Sequence, residues 1–465
     1  MSTVVPSALS EPQLPQLGGA GGGILTSEQE YKLGQQWLRI YRSRVATTDD
    51  PVIQSYVEDI VARMLTNSEL IDRRVEVVVA ENPTLNAFAV PGGIVGVHTG
   101  LFDYALTEEQ FASVIAHELA HLSQKHFLRS IEKQQNATLP TLAAYIAGII
   151  IAASGGADAG LAVISATQAT AIDAQLRFSR KMEQEADRVG MNTLIKAGMD
   201  PHAMPDMFSQ MLKSKRFSSA PPEFLLTHPL TESRLSDAKL RAQQYPQRYY
   251  PPQIDYEIAR IHASRTVQQS PQDSIKRFTL ALQGNEYSED GARYGLLMGL
   301  IDAKRFDEAK QQLELLLGSQ PDIIAFHLAH ASLLSAQGRH NEAVDVLQTQ
   351  LQRLPKHHAL NVRLAETLMK SGRYEECESV LSRHVKRRPK DDYVWYLLAE
   401  AHGLAGNIFD VHEARAEYFI LNGLYDKAEI QLVNALELVK KDDRQTRARV
   451  EHRLRQTREF LESNS

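Results

Sequence analysis

The sequence predicts an α+β protein that is mostly helical, in which a domain with a small β-sheet is followed by an all-α solenoid of helical repeats. Apolar residues recur at helical spacing over much of the chain, whereas the one convincing strand pattern covers residues 75–80. In the second half of the chain, glycine, alanine and proline recur every 34 residues, which is the tetratricopeptide period. With 465 residues and 43% hydrophobic content, at least two substantial cores are expected.

Composition divides the chain into three segments. Residues 1–25 contain no Lys or Arg and are rich in Pro and Gly, so we expect a disordered N-terminal segment that is neither signal peptide nor membrane anchor. Residues 26–245 are predicted to form the first domain and residues 246–465 the repeat domain. The boundary is placed by a linker at residues 243–252 that is rich in Gln, Tyr and Pro.

The first elements follow from local signals. Ser27 and Glu30 are interpreted as a capping box that starts a helix, and a second helix is expected from Pro51 to about residue 65. The strand at residues 75–80 and two extended segments on either side of residues 91–93 would form the small sheet.

The next helix carries two histidines and is the most informative part of the chain. Thr107 and Gln110 predict its start as a capping box. His117 and His121 are four residues apart, so both imidazoles project from one face, while Glu118 can approach a metal-bound water. This pattern predicts a catalytic site with one Zn2+ ion per chain. A helix with two incidental histidines is the alternative.

A second helix is expected to supply a third ligand, because a catalytic zinc site has three protein ligands and one open position. Glu183 and Asp187 share a helix face, so Glu183 can bind the metal while Asp187 orients a ligand imidazole. Glu185 points roughly 200° around the helix from Glu183 and is a poorer candidate. A solvated acidic helix face is the alternative for this segment.

These motifs resemble those of a known enzyme family. His-Glu-Leu-Ala-His at residues 117–121, followed by Glu-x-x-Ala-Asp at residues 183–187, is similar to the gluzincin metallopeptidases related to the CAAX prenyl protease and to bacterial HtpX. The stretch at residues 86–93 and the His-Pro and Arg at residues 228–234 match further signatures of that family. With its repeats, the chain resembles periplasmic β-barrel assembly-enhancing proteases.

The resemblance implies a zincin-like metallopeptidase fold for the first domain and roles for residues beyond the two helices. Arg234 is expected to stabilise the tetrahedral oxyanion. The edge strand at residues 86–89 is expected to bind an extended substrate by strand addition, and a hairpin that only covers the core is the alternative. The substrate-binding residues predicted in this way are Asn86, Ala87, Phe88 and Ala89.

His228 admits two functional roles. It can be catalytic by donating a hydrogen bond to the oxyanion, or it can be a fourth zinc ligand that displaces water and holds a resting enzyme inactive. A structural histidine in the turn before Pro229 is the alternative. His98, His126 and His202 are interpreted as ordinary structural or surface residues.

The repeat domain is predicted to contain four tetratricopeptide-like units with flanking helices. Gly338, Gly372 and Gly406 are spaced by 34 residues, and Gly423 follows Gly372 by 51 residues, which is one and a half repeats. The last units should therefore be offset by about one helix. Such solenoids present a concave surface to proteins, and the resemblance implies outer-membrane β-barrel proteins and their assembly machinery as partners.

Residues 142–164 contain an apolar run of 12 residues that spans about 18 Å as a helix, too short for a bilayer core of ~30 Å. This stretch is interpreted either as a lid with peripheral membrane contact or as a buried helix hairpin.

A net charge of −6 gives no reason to expect nucleic-acid binding. The single Cys377 excludes an intrachain disulfide and a cysteine zinc site.

Together these observations predict a zinc-dependent endopeptidase. By resemblance it is periplasmic, with its signal peptide removed, and it combines quality-control proteolysis of outer-membrane proteins with chaperone-like support of β-barrel assembly, including the lipopolysaccharide translocon. The alternative is a non-catalytic repeat-domain assembly factor whose zinc site is structural or idle. A zinc hydrolase for small substrates is disfavoured, because a solenoid indicates macromolecular substrates.

Overall fold

The computed structural model describes residues 25–132, 180–217, 222–265 and 270–464. Apart from Leu25, the N-terminal segment 1–25 lies outside the described residues, and so does the apolar stretch 142–164. Within the described part of the chain, no helix combines the length and apolar character needed to cross a bilayer.

Helix α1 spans Ser27–Arg42 and begins with a capping box. The Thr26 hydroxyl accepts a hydrogen bond from the backbone N–H of Gln29, and the Gln29 side chain accepts one from the backbone N–H of Thr26. The capping box predicted at Ser27 and Glu30 is therefore wrong by one residue. Thr26 and Gln29 have the same capping chemistry as Ser27 and Glu30, and they satisfy the free N–H groups one position earlier.

A three-stranded sheet follows helix α2, which spans Pro51–Asn67. Strands β1 (Glu76–Ala80), β2 (Ala87–Val90) and β3 (Ile94–His98) lie in the order β1-β3-β2. β1 is parallel to β3 and β2 is antiparallel to it. β2 is therefore an edge strand, as predicted.

Helix α4 (Glu108–Ser123) lies at the centre of the first domain, and every residue from Glu108 to His121 is buried. It packs most extensively against α6 (Arg180–Lys196), the helix predicted to supply the third ligand. The remaining helices of this domain are α3 (Leu101–Tyr104), α5 (His126–Glu132), α7 (Ala203–Phe217), α8 (Phe224–Thr227) and α9 (Glu232–Ala242).

Helix pairs form the rest of the described chain. Gly338, Gly372 and Gly406 end the first helix of a pair with φ of +79°, +74° and +83°, and Lys304 takes the equivalent position with φ +58°. Four units spaced by 34 residues share this turn, and a fifth turn of the same kind lies at Gly423, with φ +65°. The helices are α10 (Ile254–Arg265), α11 (Pro271–Ala281), α12 (Glu289–Asp302), α13 (Phe306–Ser319), α14 (Ile324–Ala336), α15 (His340–Arg353), α16 (His358–Lys370), α17 (Tyr374–Val385), α18 (Asp392–Ala405), α19 (Ile408–Leu421), α20 (Tyr425–Leu438) and α21 (Arg444–Asn464).

The turn at Gly423, where the offset of the repeats was predicted, packs against α1. Gly423, with φ +65°, joins α19 to α20, so α19 belongs to two successive units. A Cβ atom at Gly423 would lie 2.7 Å from the backbone oxygen of Arg39. The Arg39 guanidinium also lies 4.7 Å from the ring centroid of Phe460 in α21. Glycine is required at this turn both by its backbone conformation and by its contact with α1.

The start and the middle of the solenoid also pack on the first domain. α10 and α16 both contact α2, and Tyr256 of α10 packs beside Tyr56 and Phe102 in the core of the first domain. Arg388, between α17 and α18, donates two hydrogen bonds of 2.8 and 2.6 Å to Glu58. The first helix after the proposed boundary at 245/246 is thus part of the first domain's core. Part of the repeat surface is covered by α2.

Candidate metal centre

His117 and His121 lie one turn apart on α4, and their Nε2 atoms are 3.0 Å from each other. At the start of this helix the Thr107 hydroxyl accepts a hydrogen bond from the backbone N–H of Gln110. The Gln110 side chain accepts a hydrogen bond from the backbone N–H of Leu106. A full capping box would need that bond to come from the backbone N–H of Thr107, so only half of the predicted box is present. The helix nevertheless begins where the capping signal placed it.

Small residues let α6 approach α4 closely. Ala186 packs with Ala120 and Val189 between the two helices. A Cβ atom at Gly190 would lie 3.0 Å from the backbone nitrogen of His117. This short separation allows the carboxylates of α6 to reach the imidazoles of α4.

Four side chains supply a convergent donor set, which consists of His117, His121, Glu183 and His228. Their donor atoms lie within 4.8 Å of one another, and no other group of three or more metal-binding side chains converges in this way within the described residues. Glu183 is central: its Oε2 lies 3.5 Å from His117 Nε2, and its Oε1 lies 3.6 Å from His121 Nε2 and 3.2 Å from His228 Nδ1. None of the four residues is more than 4% exposed.

These residues fit a divalent transition metal. Ligands of a tetrahedral zinc ion, about 2.0–2.2 Å from the metal, are roughly 3.3 Å from one another. The separations of 3.0 to 3.6 Å in the donor set lie around that value. Burial raises the pKa of Glu183, but His228, His117 and His121 outweigh it and hold the pKa well below its usual range. The pocket therefore favours an ionised carboxylate beside a positive charge.

Glu118 lies beside the donor set without belonging to it. Its Oε1 is 3.6 Å from His228 Nε2, and this oxygen accepts no hydrogen bond from the described residues. Burial raises the pKa of the carboxyl group, with smaller opposing effects from His228, His117 and the backbone N–H of Ala89. A buried carboxylate of raised pKa is suited to accept a proton during a reaction.

Asp187 and Arg234 form a buried pair behind the donor set. Arg234 Nε and Nη2 each donate a hydrogen bond of 2.7 Å to Asp187. Arg234 Nη1 lies 2.8 Å from Glu183 Oε2 and donates to the carbonyl of Pro229. Asp187 Oδ1 is 3.0 Å from His117 Nδ1, the ring nitrogen that faces away from the donor set. Burial lowers the pKa of His117, but Asp187 and Glu183 outweigh it and raise the pKa to about 9.

Strand β2 runs alongside α4, with the backbone N–H of Ala89 directed at Glu118. The Phe88 ring packs in the core, with centroids 5.5 Å from Trp37 and 5.4 Å from Tyr41. Among the described residues, β2 pairs with a strand on one side only. The substrate-binding role of residues 86–89 stays a prediction.

Comparisons with known proteins agree with this geometry. The profile of peptidase family M48 matches residues 51–242, and a tetratricopeptide repeat profile matches residues 334–401. The beta-barrel assembly-enhancing protease of Escherichia coli O157:H7 is 33% identical over 462 residues, which span 97% of this chain and 93% of that protein. The chain belongs to peptidase family M48.

Other relatives of this M48 peptidase match over shorter lengths. The beta-barrel assembly-enhancing protease of Yersinia pestis is 34% identical over 314 residues, or 67% of this chain and 64% of that protein. The mitochondrial metalloendopeptidase OMA1 of Arabidopsis thaliana is 29% identical over 220 residues, or 47% of this chain and 38% of that protein. The predicted class, a metalloprotease with tetratricopeptide repeats, is confirmed.

Sequence reasoning missed one pair of residues in this M48 peptidase. His126, interpreted from the sequence as a structural or surface residue, is fully buried, with Nδ1 3.0 Å from His121 Nδ1 and Nε2 3.1 Å from Glu185 Oε2. The sequence did not predict its contact with a histidine of the donor set. Burial lowers the pKa of His126 to about 4 despite the opposing effect of Glu185. In a continuous helix, residues five apart point roughly 140° away from each other. Contact occurs because Lys125, with φ +51°, turns the chain back after α4. No sequence signal marks that turn.

Proposed function

We propose that this protein is a zinc-dependent endopeptidase of the periplasm that cleaves outer-membrane β-barrel proteins and also assists their assembly. The convergence of the four donors within 4.8 Å, with Glu118 beside them, is the observation that carries the proposal. The name of a relative that aligns with 97% of this chain supports the substrate class. We extend the proposal to a chaperone-like activity on the lipopolysaccharide translocon, as the motif resemblance implies.

The residues of the site have distinct roles in this proposal. A zinc ion held by these donors would lower the pKa of a bound water and polarise the scissile carbonyl. Glu118 takes a proton from the attacking water and passes it to the leaving amine, for which its raised pKa is suitable. The β2 edge aligns an extended substrate with Glu118, which the backbone of Ala89 already contacts.

Arg234 is proposed here as a positioning residue. Its guanidinium holds Asp187 by two hydrogen bonds of 2.7 Å and Glu183 by a contact of 2.8 Å. Because Asp187 in turn contacts His117, Arg234 acts on two members of the donor set at once. These contacts and the one with Pro229 use four of the five guanidinium N–H groups, so the oxyanion role expected from the family resemblance would depend on the second N–H of Nη2.

His228 is proposed as a fourth ligand of a resting state. Its Nδ1 lies 3.2 Å from Glu183 Oε1, and it directly follows α8. A site with four protein ligands leaves no position for water, so His228 must withdraw before hydrolysis.

We therefore expect His228→Ala to increase the initial rate of cleavage of a denatured protein several-fold. His202→Ala, which changes a histidine bonded to Asp200 outside the donor set, is the control and should keep the wild-type rate. A rate that falls in His228→Ala and never rises would exclude the latch and favour an oxyanion role.

The repeat domain is proposed to bind β-barrel proteins and their assembly machinery. Because α10 and α16 contact α2, partners would use the parts of the solenoid that the first domain leaves uncovered. Peripheral membrane contact through residues 142–164 stays a prediction.

The experiment that tests the function uses the purified chain and one β-barrel protein in two forms. We expect cleavage of the urea-denatured barrel diluted into buffer, and no cleavage of the same barrel folded in detergent. Chelation of the metal should abolish cleavage, and one equivalent of zinc should restore it, with metal content measured by mass spectrometry. A chain that binds zinc but cleaves no denatured protein would contradict the proposal.

That last outcome would favour the non-catalytic assembly factor. One observation supports this second candidate: the donor set contains four residues, which is the number of a closed structural zinc site. In that case the zinc ion would stabilise the packing of α4 on α6, and the repeats would perform the function.

A further inference from the structure

The segment after α4 is built to hold His126 against His121. Lys125 adopts φ +51°, and the next helix, α5, contacts α4. Phe127 and Leu128 of α5 are buried in a cluster that includes Trp37. The backbone of His126 is therefore anchored by packing next to it, and the imidazole itself is fully buried.

The two histidine rings have a defined direction of hydrogen bonding. His121 presents Nε2 to the donor set, 3.6 Å from Glu183 Oε1, so its Nδ1 faces away from the site. An imidazole that binds a metal through Nε2 carries its proton on Nδ1, and that N–H needs an acceptor. The acceptor at 3.0 Å is His126 Nδ1. His126 must then carry its own proton on Nε2, where Glu185 Oε2 accepts it at 3.1 Å.

Glu185 is held in place by a second donor. Arg129 Nη1 donates a hydrogen bond of 3.0 Å to the same carboxylate oxygen. This arrangement parallels the one behind His117, where Asp187 contacts the imidazole and Arg234 holds Asp187. Each of the two α4 imidazoles in the donor set is therefore linked to a carboxylate that is paired with an arginine. His117 contacts Asp187 directly, whereas His121 is linked to Glu185 through His126.

We propose that His126 and Glu185 are positioning residues that orient His121 and fix the tautomer in which it binds the metal. This inference rests on the proposed metal site, because it assigns His121 as a ligand. Two successive hydrogen bonds leave His121 one favourable ring orientation, with Nε2 toward Glu183. Without the acceptor, the buried Nδ1–H of His121 would lose this partner and the bound orientation would be less favoured.

The test is the affinity of the metal-free chain for zinc, measured by competition with a chromophoric chelator. We expect His126→Leu to weaken zinc binding by about 10–100-fold, the range found when the outer partner of a metal ligand is removed. His126→Asn should recover most of the affinity, since its side-chain oxygen can stand where Nδ1 stands now. Glu185→Gln, which still accepts a hydrogen bond but lacks the charge, should lose only a few-fold. The absorption spectrum of the cobalt-substituted chain should change in His126→Leu.

His384→Leu is the matched control. His384 is also buried, and its Nε2 is 3.0 Å from His358 Nδ1 within the repeat domain, far from the donor set along the chain. The His384→Leu substitution should lower the unfolding temperature without changing the affinity of the chain for zinc. The inference is overturned if His126→Leu binds zinc within two-fold of the wild type, or if His126→Asn binds as weakly as His126→Leu. If the wild-type chain itself binds no zinc, the proposed function fails before this inference is tested.

Discussion

Glu118→Gln is expected to lower the rate of cleavage of a denatured β-barrel protein by roughly 10²–10⁴-fold, the range for loss of a general acid–base group. Glutamine keeps the shape of the side chain but cannot take up a proton. Because Glu118 is outside the four-residue donor set, zinc content should stay at the wild-type level. The unfolding temperature should not fall, since burial already raises the pKa of this carboxyl and so disfavours its charge. Initial rates, metal analysis and thermal unfolding measure the three quantities.

Glu109→Gln provides the matched control for this change. Glu109 is also buried on α4, it is outside the donor set, and burial likewise raises the pKa of its carboxyl. It should keep the wild-type rate. A Glu118→Gln chain that cleaves normally would disprove the general-base assignment. In cells that contain only Glu118→Gln, normal β-barrel assembly without cleavage would show that the two proposed activities are separate.

Glu183→Gln is expected to have the second large effect, the loss of zinc. Glu183 contacts three histidines of the donor set, and its charge is the main attraction for a cation there. A neutral amide removes that charge. Arg234 then keeps its hydrogen bonds with Asp187 but loses the negative partner at position 183, so its positive charge disfavours a cation there. We expect zinc affinity to fall by more than about 100-fold, beyond the range for the outer partners of ligands. Cleavage at low zinc concentration should disappear with it.

Glu185→Gln distinguishes this loss from a general effect of removing charge on α6. Glu185 is two residues along the same helix and contacts His126 outside the donor set. Its substitution should reduce zinc affinity only a few-fold. Excess zinc should restore part of the activity of Glu183→Gln if the fold is intact. Equal losses in the two variants would mean that Glu183 is no ligand.

Local patterns predicted most of the elements. The 34-residue period predicted the repeat units because each unit is a helix pair with the same turn, and Gly338, Gly372 and Gly406 occupy that turn with positive φ. The spacing of His117 and His121, and of Glu183 and Asp187, predicted which side chains share a face, because an α-helix repeats every 3.6 residues. The single error in the first helix, one residue at its cap, arose because adjacent residues offered the same cap chemistry.

Residues that meet through turns and docking were not predictable in this way. His126 reaches His121 only because Lys125 takes a left-handed conformation that its residue type does not favour. Arg234 lies 47 residues after Asp187, and no periodicity relates them, yet their side chains share two hydrogen bonds. The contact of Gly423 with Arg39 joins elements from opposite ends of the chain.

The sequence by itself determined the helix faces, the repeat period and the pair of helices that carry imidazoles and carboxylates. These properties depend on neighbours within a few residues, so composition and spacing specify them. Only the tertiary structure decided that the solenoid packs on α1 and α2, that Arg234 is engaged by two carboxylates, and that His126 stands behind His121. Those contacts depend on how distant elements pack together to bury apolar surface and pair buried polar groups, and local spacing carries no information about that packing.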